Sequence, residues 1–159
     1  MTQGQKNWIP PVEFYFQVEF HFGTRHISAS FMEVGGLEQE IITQEINQKG
    51  NDGLNIKLPK EIKCGNIILK RPLNPLSEEI TAWVKRCFSF QTDGRIVPCS
   101  LIISLMDSQQ QFVACWACSH AYPIKWSLGT LDAQKSGLAI ETLTITYNLL
   151  ERKEYGYSN

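Results

Sequence analysis

The run Phe14-Tyr15-Phe16-Gln17-Val18-Glu19-Phe20-His21-Phe22 places an apolar residue at every even position and mostly polar groups between them. Strand side chains point alternately to two faces, so this period of two predicts a half-buried strand. Leu143, Ile145, Tyr147 and Leu149 repeat the pattern opposite Thr142, Thr144, Thr146 and Asn148. One-face burial belongs to antiparallel sheets, whose open edges invite partners. The chain therefore reads as mainly β (α+β): a small antiparallel β-barrel or sandwich with one flanking amphipathic helix.

That helix is carried by Leu76, Ile80, Trp83, Val84, Cys87 and Phe88, which recur at spacings of three and four and so share one stripe. Asn74 can cap it and Pro75 suits its first position. Glu78 and Glu79 near the start, with Lys85 and Arg86 near the end, complement the helix dipole. Gln91–Gly94 reads as the exit loop.

Around the helix the pattern predicts further strands. His26–Val34 changes parity near Phe31, and Gly35-Gly36 then forces a break, because glycine takes left-handed backbone angles at little cost. Leu54–Leu58 alternates up to Pro59, and Ile62–Lys70 is closed by Arg71-Pro72. Cys99–Asp107 and Phe112–Tyr122 make a hairpin across Ser108-Gln109-Gln110, interrupted by Pro123. Ser127–Gly137 is a loop, Leu138–Leu150 the last strand, and the polar tail Glu151–Asn159 frays or docks on a neighbour. Glu38–Ile46 stands apart, with Glu38, Glu40, Thr43, Gln44 and Glu45 making it polar on both faces. Such a strand cannot sit in an apolar core, so it faces water, a channel or another subunit.

With 159 residues the chain fits one domain. Its 15 basic and 16 acidic residues nearly cancel, which excludes the basic footprint of a nucleic-acid binder and is compatible with self-association. The first seven residues carry no apolar run, so neither a signal peptide nor a membrane anchor is expected and synthesis in the cytoplasm is the default. The 5 cysteines then read as reduced and mostly buried.

Candidate chemistry is thin. Cys115-Trp116-Ala117-Cys118 has redox or zinc spacing, but three residues apart in a strand means opposite faces, and no second pair completes a zinc site. His21, His26 and His120 sit in no nucleophile motif. Gly35-Gly36 and Gly50 are too sparse for a phosphate cradle. Lys57, Lys60, Lys63, Lys70 and Arg71 scatter over two faces and read as a solvated or intersubunit surface. Trp83 belongs to the helix stripe, while Trp116 and Trp126 read as core or interface anchors. No catalytic residue, metal ligand or cofactor is expected.

Four blocks in order carry a family resemblance: Phe31-Met32-Glu33-Val34-Gly35-Gly36-Leu37, then Lys57-Leu58-Pro59, then Asn66-Ile67-Ile68-Leu69-Lys70-Arg71, and finally Ala121-Tyr122-Pro123-Ile124-Lys125-Trp126 with Ala139-Ile140-Glu141-Thr142-Leu143. Over residues 12–150 the chain resembles the tail-tube proteins of contractile phages and phage-tail-like contractile injection systems. The resemblance implies six copies closing into a ring, and rings stacking into a hollow tube inside a contractile sheath. The partners it implies are further copies of the chain, sheath and baseplate or spike proteins, and effector cargo in the lumen, within a phage-tail-like particle. It assigns the strand with Glu38, Glu40, Thr43, Gln44 and Glu45 to the lumen or to a neighbouring subunit. Ring stacking falls to the arm Trp8, Ile9, Pro10 and Pro11 and to the loop Gln48, Lys49, Gly50, Asn51, Asp52 and Gly53.

Gly35, Gln48-Lys49-Gly50 and Lys60 depart from the main-tube pattern. Tyr122, Trp126 and Tyr147 are closer to the paralog that starts the tube at the baseplate. Both roles stay open. Two rival readings are a monomeric β-barrel with a tryptophan-lined ligand pocket and a thiol enzyme built on Cys115 or Cys118.

Overall fold

A computed structural model describes residues 14–47, 50, 55–73, 78–134, 137 and 139–154. In chain order the elements are β1 (Phe14–Phe22), β2 (Arg25–Phe31), β3 (Glu33–Gly35), β4 (Gln39–Asn47), β5 (Asn55–Cys64), β6 (Ile67–Pro72), α1 (Glu78–Phe88), α2 (Phe90–Asp93), β7 (Cys99–Asp107), β8 (Phe112–Leu128), β9 (Ile140–Thr146) and β10 (Leu149–Lys153). Eight strands form one sheet in the order β2-β1-β7-β8-β9-β6-β3, with β10 also on β8; β4 and β5 form a second sheet of two. Every recorded pairing is antiparallel. The protein is mainly β with helices.

The large sheet is rolled. Its two end strands, β2 and β3, are consecutive in the chain and separated only by Met32, whose N–H donates to the Lys70 carbonyl at 2.9 Å. One extended segment thus pairs with β1 through its first half and with β6 through its second. The two ends of the roll are joined by chain continuity rather than by a β2–β6 ladder. The parity change expected near Phe31 is this crossing at Met32.

Inside the roll lie Val18 and Phe20 of β1, Ile67 and Leu69 of β6, Leu101 and Ile103 of β7, and Leu143 and Ile145 of β9. Helix α1 closes the core with Ile80, Trp83, Val84 and Cys87, the predicted stripe. The Trp83 ring meets Phe20 and Phe22 edge-on at 5.6 and 5.5 Å, and its Nε1 donates to the Val97 carbonyl at 2.9 Å. Burying each large apolar side chain of that stripe stabilises the fold by about 1.5–3 kcal/mol. Phe88, expected in the stripe, is exposed: it is the last residue of the helix, beyond the reach of the sheet. Asn74, Pro75 and Leu76 lie outside the described residues.

Several boundaries differ from the sequence reading. Proline ends neither β5 at Pro59 nor β8 at Pro123. Each proline sits beside a register shift: Thr43 pairs with Pro59 while Ile42 pairs with Glu61, leaving Lys60 without an opposite residue. A bulge tolerates a residue with no N–H to give. The strand expected over 62–70 is divided at Gly65-Asn66, and the one expected over 138–150 at Tyr147-Asn148. Glu151–Lys153 does not fray but pairs with β8 as part of β10. The exit loop 91–94 is mostly the short helix α2, stopped by Gly94 at φ 67°. The β7–β8 turn falls where predicted, held by Asp107 Oδ1 accepting from the Gln109 and Gln111 amides.

Candidate assembly interface

The β4–β5 ribbon is the least covered part of the described protein. Its register puts Glu40–Lys63, Ile42–Glu61, Gln44–Leu58 and Ile46–Ile56 on one face, and Gln39–Cys64, Ile41–Ile62, Thr43–Pro59 and Glu45–Lys57 on the other. Only Ile42 and Cys64 are half-buried; the rest are exposed. Ile41 and Ile62 stand directly opposite each other, 62% and 68% exposed. A lone two-stranded ribbon is marginal in water, so this one gains from any surface that covers it.

The five residues assigned to a lumen or intersubunit strand are divided by this geometry. Glu40 and Gln44 share one face and Thr43 and Glu45 the other, while Glu38 precedes the strand and packs its carboxylate over Gly65. Of the expected stacking residues only Gly50 is described, at φ 123°. Trp8, Ile9, Pro10, Pro11, Gln48, Lys49, Asn51, Asp52 and Gly53 lie outside the described residues.

The ribbon is rooted on the roll by a few polar contacts. The Glu38 amide donates to the Gly36 carbonyl at 2.9 Å, and the Gln39 side-chain amide donates to the Leu150 carbonyl at 3.0 Å. Beneath this root the buried Tyr147 hydroxyl has no hydrogen-bond partner among the described residues; the Cys64 sulfur lies beside it without hydrogen-bond geometry. Burial, then the neighbouring Cys64, pushes the Tyr147 phenol up to about 12. Burial likewise pushes the Cys118 thiol up to about 12, and raises Cys99 and Cys87.

These shifts have a signed consequence. The folded protein keeps its protons where the unfolded chain releases them, from 9.0 for the thiol and 10.0 for the phenol. Stability is therefore full below about pH 9 and falls as pH rises toward about 12. Denaturant midpoints measured at pH 7.5 and 10.5 should show the loss, and Cys118→Ala should reduce it.

Strands β6, β8 and β9 hold a buried charge cluster that the sequence reading missed. Arg71, expected with Lys57, Lys60, Lys63 and Lys70 on a solvated or intersubunit surface, is buried: its Nε donates to Glu141 Oε2 at 2.7 Å, and its guanidinium lies 5.6 Å from the centre of the Phe31 ring. Trp126 Nε1 donates to the other carboxylate oxygen at 2.6 Å. Parity carried the signal, since Arg71 follows Ile67 and Leu69, and Glu141 precedes Leu143 and Ile145, on the inward face. Lys70 faces outward and pairs with Glu33, and Lys57, Lys60 and Lys63 are exposed on β5.

The space bordered by Phe31, Leu69, Arg71, Ile80, Trp126 and Glu141 is about 10 Å³, room for one water. Small-molecule sites are roughly 300–1,000 Å³, so this is not a ligand pocket. Trp126 alone of Trp83, Trp116 and Trp126 borders it.

Cys118 belongs to the core cluster while Cys115 lies outside it, against the Ser104 hydroxyl, so the two sulfurs diverge. His21 pairs with Glu19 at 2.9 Å and stacks on His26. His120 takes a φ of 49° where β8 bulges against β7. Among the described residues no group of three or more His, Cys, Asp or Glu is arranged to hold a metal, and no helix is long and apolar enough to cross a membrane.

A packed β-roll carrying an uncovered two-stranded ribbon is the architecture these residues build. The chain belongs to the T4-like virus tail tube protein gp19 family, whose model matches residues 12–151. No curated protein matches it. Chains that share its fold include three from cryo-EM structures. One, from the PVC extracellular contractile injection system sheath/tube terminator in its extended state, is 21% identical with a TM-score of 0.76, over 94% of this chain and 100% of that one. Another, from the 6-fold symmetrised anti-feeding prophage baseplate, is 22% identical with a TM-score of 0.73, over 92% and 97%. A third, from the PVC sheath–tube complex in its extended state, is 23% identical with a TM-score of 0.72, over 93% of each.

Proposed function

We propose that this protein is a ring-forming subunit of the inner tube of a contractile injection system or contractile phage tail. Six copies close into a ring, and rings stack into a hollow conduit. The observation that carries this reading is the β4–β5 ribbon, exposed on both faces in a fold of the tail tube family. The similar chains support it, since they come from a baseplate, a sheath–tube complex and a tube terminator. The subunit serves either as main tube or as the ring that starts the tube at the baseplate. Its partners are copies of itself, sheath and baseplate or spike proteins, and its lumen passes cargo.

One ribbon face, with either Glu40 and Gln44 or Thr43 and Glu45, borders the lumen, and the other meets an adjacent subunit. The free ribbon edges give main-chain pairing, which is generic, while side chains fix the register. Residues 8–11 and 48–53 make the stacking contacts, so limited proteolysis should cut them faster in monomers than in tubes. Equal cutting rates would remove that assignment.

Negative-stain microscopy of purified protein tests the main reading. Rings or tubes are expected, at raised concentration or beside baseplate components. A monodisperse monomer under all these conditions would overturn it.

A further inference from the structure

We propose that the Ile41–Ile62 pair on the ribbon of one copy seats in a hollow over β7, β8 and β10 of the next copy. This deepens the ring-forming reading above and rests on it. Ile62 is the most exposed large apolar residue described, and Ile41 stands across from it, so together they form one apolar knob.

The hollow has a structural cause. Cys99 pairs with Ala121 but Leu101 with Cys118, so Ser119 and His120 oppose the single residue Ser100 and the β7–β8 ladder opens. Small side chains floor the gap. Ser100, Ile102, Ala117, Ser119, Leu149 and Glu151 border a mainly apolar depression of about 260 Å³, with His21 at one side.

That volume is below the usual range for small-molecule sites, and suits inserted side chains. Glu151 stands at the rim of the hollow, already paired with Lys153 at 2.6 Å, so it adds little to the contact. The apolar fit supplies the attraction.

Neither Ile41 nor Ile62 borders the hollow of its own chain. Knob and hollow are therefore different patches, and their contact is head-to-tail. Such a contact closes into a ring when its rotation allows, and otherwise propagates as a filament.

The test uses full-length chains carrying Ile41→Asp, which breaks the knob, or Ala117→Trp, which fills the hollow. Ala117→Leu serves if the tryptophan variant does not fold, and thermal melting checks each. Each variant alone should need a roughly tenfold or higher concentration than wild type to form rings. Mixed in equal amounts, they should form one-to-one dimers by light scattering, because one intact knob and one intact hollow remain. Rings from wild type and from both variants alike would overturn this contact and leave the tube reading standing. No rings from wild type under any condition would remove the tube reading, and this contact with it.

Discussion

Glu141→Ala should lower the free energy of unfolding by about 3–5 kcal/mol, the usual loss when one partner of a buried ion pair is removed. Glu141 and Arg71 have side chains only 9% and 8% exposed, and the carboxylate also accepts from the Trp126 indole. Removing it strands a guanidinium inside the roll and takes the acceptor from the Trp126 N–H at once. Urea titration should show the midpoint falling with an unchanged slope, because the surface exposed on unfolding stays the same. Arg71→Met combined with Glu141→Leu should recover most of the loss, since a buried pair replaced by apolar groups of similar size is often neutral or stabilising. A single-variant loss below about 1 kcal/mol would mean that water reaches the pair and that it behaves as a surface salt bridge.

The pair also marks where sequence reading stopped. The β1 alternation and the Ile80–Trp83–Val84–Cys87 stripe were legible because a strand of period two and a helix of period 3.6 leave distinct patterns when one face is buried. The unusual status of the β4 ribbon was legible for the opposite reason: it has no buried face, and its polar residues say so. Arg71 and Glu141 sit on the inward parity of their strands, yet each charge alone reads as solvent-facing, and only the β6–β9 register makes them partners. Pro59 and Pro123 read as strand ends because their exceptions need a bulge in the pairing, which is a property of two strands and not of one. The hollow beside Ser100 was invisible for the same reason, being made by a register shift between β7 and β8.

The adjacent glycines of the Gly35-Gly36-Leu37 block should answer differently to the same substitution. Gly36 has a φ of 80°, and a Cβ there would overlap the Asn66 carbonyl oxygen, a backbone atom of the β5–β6 connection. The positive φ alone costs an ordinary residue about 1–3 kcal/mol. The overlap adds to this, because Asn66 can move only by disturbing Gly65 and the start of β6, so Gly36→Ala should lose more than about 3 kcal/mol. Gly35 lies within β3, and a Cβ there would meet only Ile68 Cβ at 3.9 Å, an ordinary contact. Gly35→Ala should therefore be neutral or slightly stabilising, within about 1 kcal/mol, by narrowing the unfolded ensemble. The two variants also separate stability from ribbon position. Both ends of the ribbon leave the roll at this point, through Gly36 to Glu38 and through Gly65. A displaced root re-aims β4 and β5 as a unit, so Gly36→Ala should impair ring formation even at temperatures where it stays folded. Thermal melting and sedimentation on the same samples check this. Equal melting temperatures for the two variants would show that the ribbon is not held by the Gly36–Asn66 approach.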